Sequence, residues 1–330
     1  MLMAIILFII GLALLIVFGD FFVDGAVGIA KKYHVPELLI GATVVSIGTT
    51  LPEVLVSATS AVSGHGEIAY GNAIGSIICN TSLIAAITIA IKPSIIDKKS
   101  IFKPVIFFFI AAIFYSLVAI TTGEFSRLVG FILLGIFLVY MIITIRESFL
   151  KSKMQVAEAL QEKSKIEDKG DKKEQTLFQS ILLIVLGAAG IALGARLLVD
   201  NGTIIAKELG VPESVIGLTI VALGTSLPEL VTAIFSLVKG HGALSVGNII
   251  GANLFNLVLV SGVSVSLSPF SVPTEKTLLG INASFIVDIP LMFLVMLIMT
   301  LPALIKGKLS RWQGIALLVI YAGFCVFQFA

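Results

Sequence analysis

The sequence predicts an all-α polytopic membrane protein of ten transmembrane helices, built as two inverted-topology repeats of five with broken helices at the midplane. Three observations predict it: an apolar composition, ten apolar segments of spanning length, and a duplicated polar motif. Hydrophobic residues make up 58% of the 330 residues and charged residues 13%, and the mean hydropathy is +1.10. Soluble domains carry about 25% charged residues, so the composition excludes soluble enzymes, nucleic-acid binders and secreted disulfide scaffolds.

The apolar segments set the number of membrane crossings, because a helix of about 20 mostly apolar residues spans the bilayer core. Ten segments qualify: 3–22, 38–62, 68–91, 104–121, 127–145, 177–199, 214–238, 244–267, 281–301 and 312–329. The first lacks a basic start and is predicted to be a spanning helix rather than a signal peptide. The one long polar stretch predicts a linker at 146–176, between a first repeat at 1–145 and a second at 177–330.

An internal duplication relates the two halves of the chain. A shift of 176 residues aligns Gly41–Asn80 with Gly217–Asn256 without a gap, and 18 of the 40 positions are identical. Since five helices is an odd number, the second copy enters the membrane from the opposite side. The duplication therefore predicts an inverted-topology repeat, which is typical of secondary transporters.

The basic residues predict the orientation in the membrane. One alternate set of loops, the linker among them, carries 18 of the 22 Lys and Arg residues, and the other set carries four. Cytoplasmic loops carry an excess of Lys and Arg. We therefore expect a plasma-membrane protein with a cytoplasmic linker and two external termini.

A polar motif occurs in the middle of the second and seventh segments. Residues 48–53 read GTTLPE and residues 224–229 read GTSLPE. Gly and Pro interrupt a helix, and such interruptions persist in lipid only where they are buried in protein or line a cavity. A carboxylate in the bilayer costs about 2.5–3.5 kcal/mol on insertion scales. Glu53 and Glu229 are therefore candidate functional residues.

Both glutamates also permit a purely structural interpretation. Thr50 with Glu53, and Ser226 with Glu229, have the spacing of a helix capping box, and Pro is tolerated early in a helix. Each Glu would then cap the half-helix that restarts there. Capping does not exclude ion binding, because a cap also fixes the neighbours of the side chain.

A second polar element follows each motif, at 71–80 and at 247–256. The first contains three polar residues spaced by four, which lie on one helix face: Asn72, Ser76 and Asn80. Glycines of the same element permit close helix contact in lipid.

Oxygen is the shared ligand type of these elements. Asn80 and Asn256 are predicted to bind an ion, whereas Asn72 and Asn248 either bind or support the neighbouring backbone. Carboxylates, hydroxyls, amide oxygens and freed carbonyls together predict an acidic, all-oxygen cavity. Hard cations such as Ca²⁺ and Na⁺ match such a cavity.

These motifs resemble the two alpha repeats of the sodium/calcium exchanger family, of the compact prokaryotic type within the calcium/cation antiporter superfamily. The resemblance covers essentially the whole chain. It implies one Ca²⁺ site flanked by Na⁺ sites. The Ca²⁺ site would use Glu53, Glu229 and the carbonyls of Thr49 and Thr225. One Na⁺ site would use Thr50, Ser76 and the carbonyl of Ser46, the other Ser226 and the carbonyl of Ala222, with Asn80 and Asn256 bordering the central site.

Two positions depart from the family pattern. Compact members often carry Ser at the position of Ala252, so the Na⁺ site of the second repeat is expected to be weaker or to be completed by Asn253 or water. They often carry Asp at the position of Asn256, and its replacement by Asn resembles the potassium-independent exchangers.

The predicted function is electrogenic antiport that exports Ca²⁺ in exchange for Na⁺ by alternating access. The resemblance implies that segments 3–22 and 177–199 slide as gates. The alternative is proton/Ca²⁺ antiport, or antiport of another divalent cation, because two facing carboxylates favour proton uptake. A channel is disfavoured, since inverted repeats with broken helices suit alternating access. We expect no enzymatic activity, no cofactor, no nucleic acid and no obligatory protein partner. The expected partners are the lipid bilayer and the transported ions Ca²⁺ and Na⁺.

Overall fold

The computed structural model describes residues 1–163, 176–209, 222–274 and 276–329. It is nearly all helical, as predicted. The helices are α1 Leu2–Lys32, α2 Glu37–Val62, α3 Gly66–Ile91, α4 Lys98–Thr122, α5 Arg127–Lys163, α6 Leu177–Glu208, α7 Ala222–Thr225, α8 Leu227–Val238, α9 Gly242–Leu267, α10 Ser284–Lys306 and α11 Arg311–Phe329. Within the described residues, nine helices are long and apolar enough to cross a membrane, and α8 is a shorter apolar helix.

Two helices are much longer than their predicted segments. Helix α1 has 31 residues and α6 has 32, whereas the segments 3–22 and 177–199 stop earlier because polar residues follow. At 1.5 Å per residue each helix is about 46–48 Å long, which exceeds a hydrocarbon core of about 30 Å. Both helices therefore extend beyond the core or cross it at a tilt.

The predicted helix interruption takes different forms in the two repeats. In the second repeat the chain leaves helical geometry at Ser226, between α7 and α8, and Pro228 lies in the first turn of α8. In the first repeat α2 continues through Pro52, so the sequence GTTLPE does not break the helix there. Pro52 lacks the N–H that would bond the carbonyl of Gly48. Residues 214–221 of the seventh segment and residues 164–175 of the linker lie outside the described residues.

Irregular turns occur at equivalent places of the two repeats. A π turn spans Asn80–Ala85 in α3, and another spans Asn256–Val260 in α9. The 176-residue shift maps one onto the other. Further π turns lie at Gly41–Val45 in α2 and Ser284–Asp288 in α10. π turns are frequent at functional sites, so the duplication extends from the sequence to the local backbone geometry.

Helices α1 and α6 form an antiparallel pair in close contact. A Cβ atom added to Gly11 would lie 2.8 Å from the carbonyl oxygen of Gly194, and one added to Gly194 would lie 2.8 Å from that of Gly11. Farther along the pair, Gly25 faces Ser180. The two backbones meet because small residues line the contact.

The core divides into two clusters. The smaller cluster joins α1 and α6 to the beginning of α2, with Phe22, Val45 and Ile191 at its centre. The larger cluster packs α3, α4, α9 and α10 around aromatic side chains such as Phe108 and Phe255. Large apolar residues on the outer faces are exposed, as expected for helices that face lipid.

Short strands connect the loops on the side of the termini. Strand β1 (Glu124–Phe125) pairs antiparallel with β2 (Phe270–Ser271), which ties the loop after α4 to the loop after α9. Strand β3 (Thr277–Leu278) forms a hairpin with β4 (Ile281–Asn282). These two-residue strands were not predicted from the sequence. Strands β1, β2 and β3 fall in loops without a periodic pattern, whereas β4 occupies the first two residues of the predicted segment 281–301, whose helix begins at Ser284.

Candidate ion-binding site

Helices α2 and α8 bring one glutamate from each repeat together. Glu53 and Glu229 are both fully buried, and the helices that carry them contact each other. The 176-residue shift maps one residue onto the other. The two predicted carboxylates therefore lie at the contact between the repeats.

The polar atoms of this centre lack protein partners. All four carboxylate oxygens of Glu53 and Glu229 are buried without a hydrogen-bond partner of normal geometry among the described residues, and so are the hydroxyls of Thr50 and Ser226. Ser226 directly precedes α8 but makes no side-chain cap, and Thr50 lies inside α2. The capping-box interpretation is therefore wrong for both glutamates. Buried polar atoms are almost always paired, so this group of oxygens has the chemistry of a cation site.

The two predicted asparagines occupy the first position of the equivalent π turns. Asn80 and Asn256 are fully buried, and both the amide nitrogen and the amide oxygen of each side chain lack a hydrogen-bond partner of normal geometry in the described part of the chain. Each side chain can thus offer an oxygen to a cation.

The other pair of asparagines makes hydrogen bonds to its surroundings. Asn72 donates to the hydroxyl of Ser57 at 2.8 Å and to the backbone oxygen of Glu53 at 3.4 Å. Asn248 accepts the hydroxyl of Thr49 on its side-chain oxygen at 3.2 Å and the hydroxyl of Ser46 on its backbone oxygen at 2.9 Å. Of the two alternatives left open by the sequence, these contacts favour support of the backbone.

The remaining predicted residues of the first repeat lie in the same region. The backbone oxygen of Ser46 accepts the hydroxyl of Thr49 at 3.4 Å. Ser76 is buried, and its hydroxyl donates to the side-chain oxygen of Asn72 at 3.3 Å. The hydroxyl of Ser76 can still accept a hydrogen bond or face a cation, because a hydroxyl oxygen has two lone pairs.

The second repeat has fewer hydroxyls at the predicted positions, because Ala222 and Ala252 stand where the first repeat has Ser46 and Ser76. Ala222 begins α7 and Thr225 ends it, so the backbone of both residues lies just before Glu229 in the chain. Ala252 is fully buried and contributes no side-chain oxygen. Asn253 donates to the hydroxyl of Thr81 at 2.7 Å and to the sulfur of Met296 at 3.2 Å. Its side-chain oxygen has no hydrogen-bond partner within the described ranges.

Sequence reasoning missed three residues whose side chains connect distant parts of the chain. The hydroxyl of Tyr140 donates to the backbone oxygen of Ala42 at 2.9 Å and so satisfies a carbonyl in the first π turn. Thr81 is the partner of Asn253. Lys239 follows α8 and contacts two aspartates of α1. A lone Lys in a turn of one repeat, opposite two Asp within an apolar helix, was the available signal for that contact.

Lys239 remains charged despite its partial burial. Burial lowers its pKa, but hydrogen bonds and the charges of Asp20 and Asp24 outweigh that effect, so the pKa rises above the usual value of 10.5. The ammonium therefore keeps its proton throughout the physiological range.

Comparison with known proteins gives the family. A profile described as "Sodium/calcium exchanger protein" matches residues 3–146 and 179–330. The chain belongs to the sodium/calcium exchanger family. An uncharacterized membrane protein of Methanocaldococcus jannaschii is 33% identical over 315 residues, which cover 95% of this chain and 94% of that protein.

Two further similarities agree with this assignment. The sodium/calcium exchanger MaX1 of Methanosarcina acetivorans is 28% identical over 97% of this chain and 96% of its own length. A solved structure of the sodium-calcium exchanger NCX_Mj, soaked with 10 mM Na⁺ and zero Ca²⁺, has a TM-score of 0.79 and 32% identity, and covers 97% of each chain. The predicted exchanger resemblance and the all-helical fold are therefore confirmed.

The family fixes the general function. This exchanger is a multi-pass membrane protein that carries out antiport of Ca²⁺ against another cation. Its family consists of transporters, whose substrates Ca²⁺ and Na⁺ cross a lipid bilayer.

Proposed function

We propose that this exchanger exports Ca²⁺ in exchange for Na⁺ by alternating access around Glu53 and Glu229. The observation that carries the proposal is the pair of fully buried glutamates, one from each repeat, whose oxygens have no protein partner of normal geometry in the described chain. Two carboxylates in the membrane are costly unless a cation neutralises them. One Ca²⁺ carries two positive charges and so balances the two carboxylates. The charge of the site therefore matches its proposed substrate.

The proposed Ca²⁺ ligands are the carboxylates of Glu53 and Glu229 and the carbonyls of Thr49 and Thr225. Ca²⁺ takes six to eight oxygens, and a glutamate can supply two of them. Asn80, whose side-chain oxygen is buried and unpartnered, borders this site from the first repeat, as Asn256 does from the second.

The proposed Na⁺ sites flank the centre. Thr50, Ser76 and the carbonyl of Ser46 serve one of them. Ser226 and the carbonyl of Ala222 serve the other, where Ala252 offers no hydroxyl. The unpartnered hydroxyls of Thr50 and Ser226 support this assignment, and the free side-chain oxygen of Asn253 is available nearby. Na⁺ and Ca²⁺ then exclude one another because they share the two glutamates.

The proposed cycle is electrogenic and independent of potassium. If three Na⁺ exchange for one Ca²⁺, one net charge crosses per cycle, which is worth about 2.3 kcal/mol per 100 mV. Asn256 provides no third carboxylate, so the site carries two negative charges, and one Ca²⁺ balances them without K⁺.

The proposed location is the plasma membrane, with both termini outside and the 146–176 linker in the cytoplasm. The asymmetry of 18 against four basic residues supports this orientation. In this orientation, a first repeat at 1–145 and a second at 177–330 would have their glutamates at mirrored depth in the membrane.

Transport in vesicles tests the proposal. Purified protein is reconstituted with Na⁺ inside, and uptake of Ca²⁺ is followed after dilution into Na⁺-free medium, with and without K⁺. Uptake driven by Na⁺ and accelerated by an inside-positive potential is expected. Equal uptake driven by a pH gradient without Na⁺ would favour the proton/Ca²⁺ alternative.

Substitutions of the glutamates test the site itself. Glu53→Gln or Glu229→Gln removes one of the two charges and is expected to abolish Ca²⁺ uptake. Glu67→Gln is the matched control, because Glu67 is an exposed carboxylate at the start of α3. Uptake that survives both glutamate substitutions would refute the site.

A further inference from the structure

A turn between α8 and α9 holds α1 through one lysine. The Lys239 ammonium lies 2.6 Å from a carboxylate oxygen of Asp24 and 2.7 Å from one of Asp20. It also donates to the backbone oxygen of Asp20 at 3.2 Å. We name these contacts the Lys239 clamp. They connect the helix pair α1–α6 to the helix that carries Glu229.

Two neighbouring contacts reinforce the same attachment. Gly19 of α1 packs on Val231 and Phe235 of α8, where an added Cβ would lie 3.0 Å from the ring of Phe235. In the same turn, Nδ1 of His241 lies 2.7 Å from a carboxylate oxygen of Glu37, the first residue of α2. The turn therefore contacts both α1 and α2 on the side of the linker.

The repeat lacks this clamp at the equivalent position on the opposite side. The 176-residue shift replaces Lys239 by Ser63, and it replaces Asp20 by Arg196. Arg196 forms its ion pair with Asp200 inside α6, at 3.5 Å, and both side chains are largely exposed. The residues equivalent to Asp20 and Asp24 thus pair with each other within α6. The two repeats therefore differ at equivalent positions: the Lys239 clamp joins two helices on the linker side, and the equivalent residues do not form it on the other side.

We expect the Lys239 clamp to favour the conformation in which it forms and still to break during transport. The side chain of Lys239 is 21% exposed and those of the two aspartates are 44% exposed, so water screens the pair only in part. Two carboxylates share one ammonium, and loss of one contact leaves the other in place.

We propose that Lys239 is a positioning residue of the transport cycle. It fixes α1 against α8, so that the exchanger rests with access from the linker side closed, and the clamp must break before that side opens. The proposal rests on alternating access and adds to it an unequal resting equilibrium, which the repeated sequence alone does not require.

Transport measured from each side tests the clamp. The variant Lys239→Met keeps most of the unbranched side chain and removes its charge. In vesicles of known orientation, we expect the half-saturating Ca²⁺ concentration to fall about three- to fivefold on the linker side, the size expected for a partly exposed ion pair. On the opposite side it should rise, because one equilibrium governs both. Arg196→Met is the matched control and should leave both values unchanged.

A second measurement separates this proposal from the transport proposal. Spin labels at the exposed positions Lys31 and Lys92, in a background with Cys79→Ala and Cys325→Ala, report the distance between α1 and α3 without any transported ion. Lys239→Met should broaden this distance distribution. The pair Lys239→Asp with Asp24→Lys should narrow it again. A distribution that none of these substitutions changes would overturn the clamp, whatever the vesicles transport.

Discussion

The hydroxyl of Thr49 donates a hydrogen bond to the side-chain oxygen of Asn248, 3.2 Å away, across the boundary between the two repeats. Thr49 lies one turn before Glu53 on α2, and Asn248 lies on α9. The same asparagine accepts the hydroxyl of Ser46 on its backbone oxygen. One residue of the second repeat therefore contacts the segment of the first repeat whose Thr49 carbonyl is the proposed Ca²⁺ ligand.

Removal of the Thr49 hydroxyl should weaken Ca²⁺ binding while leaving the proposed carbonyl ligand in place. Thr49→Val is expected to raise the half-saturating Ca²⁺ concentration about tenfold, because Asn248 then loses its partner and the backbone loses its support. Thr49→Ser keeps the hydroxyl and should behave like the unmodified protein. Ca²⁺ uptake at increasing Ca²⁺ concentration measures both; equal effects of Val and Ser would contradict the role of the hydroxyl.

The free hydroxyl of Ser226 should matter for Na⁺ more than for Ca²⁺. Ser226→Ala removes an unpartnered buried oxygen and is expected to raise the Na⁺ concentration that half-inhibits Ca²⁺ uptake about threefold or more. The control is Thr59→Val, since the hydroxyl of Thr59 already donates within its own helix at 2.7 Å. A shift in Ca²⁺ affinity alone would place Ser226 in the Ca²⁺ site instead.

A hydroxyl at position 252 should strengthen the Na⁺ site of the second repeat. Ala252→Ser adds one oxygen at a fully buried position. This position is equivalent to Ser76 in the first repeat. We expect the half-inhibiting Na⁺ concentration to fall about threefold, and Ser76→Ala to change it in the reverse direction. Titration of Ca²⁺ uptake with Na⁺ distinguishes these outcomes from no change, which would exclude both positions from the Na⁺ sites.

The contact between α1 and α6 should not tolerate a side chain at Gly11. Gly11→Ala would place a methyl group 2.8 Å from the carbonyl oxygen of Gly194, so the helices must separate, at a cost of about 1–3 kcal/mol. Gly135→Ala is the control, because nothing lies within 4 Å of an added Cβ there, and helix propensity favours Ala. Thermal unfolding in detergent measures both. Equal midpoints would show that the helices have room at Gly11.

The Lys239 clamp should be insensitive to pH over the physiological range. Because the pKa of Lys239 is raised above 10.5, its stabilising contribution is complete at lower pH and disappears only as the pH rises through that raised value. The spin-label distance between positions 31 and 92 should therefore be the same at pH 7 and pH 9. A change over this interval that is absent in Lys239→Met would show that Lys239 loses its proton earlier.

The sequence was sufficient to predict the spanning helices and the two glutamates buried between the repeats. Apolar segments of spanning length predicted the helices, and the repeated sequence around Glu53 and Glu229 predicted two buried carboxylates. Charges in lipid are costly enough that their presence at mid-segment carried information without any structure. The site assignments themselves remain predictions, which the substitutions above test.

The form of the helix interruption was not predictable from the same residues. Gly and Pro occur in both motifs, yet α2 continues through Pro52 and the chain leaves helical geometry at Ser226. A proline removes one hydrogen bond, and packing against neighbouring helices decides whether the helix continues. The π turns at Asn80 and Asn256 were missed for the same reason, because no local pattern distinguishes them from a regular helix.

The end of α1 differs from the predicted end of its segment. Asp20 and Asp24 interrupt the apolar pattern, so the sequence predicted a helix that ends near them. The helix continues to Lys32, and Lys239 pairs with both aspartates. This contact comes from a distant part of the chain, so the local sequence of the helix did not reveal it.

The glycine contact between α1 and α6 has a mechanical consequence. Backbone touches backbone through Gly11 and Gly194, so neither helix can shift sideways against the other without losing that contact. In the proposed cycle of alternating access, α1 and α6 would then move together as one rigid unit. A single moving unit would cover the ions on one face of the membrane while uncovering them on the other, which would hinder a leak of Ca²⁺ down its gradient.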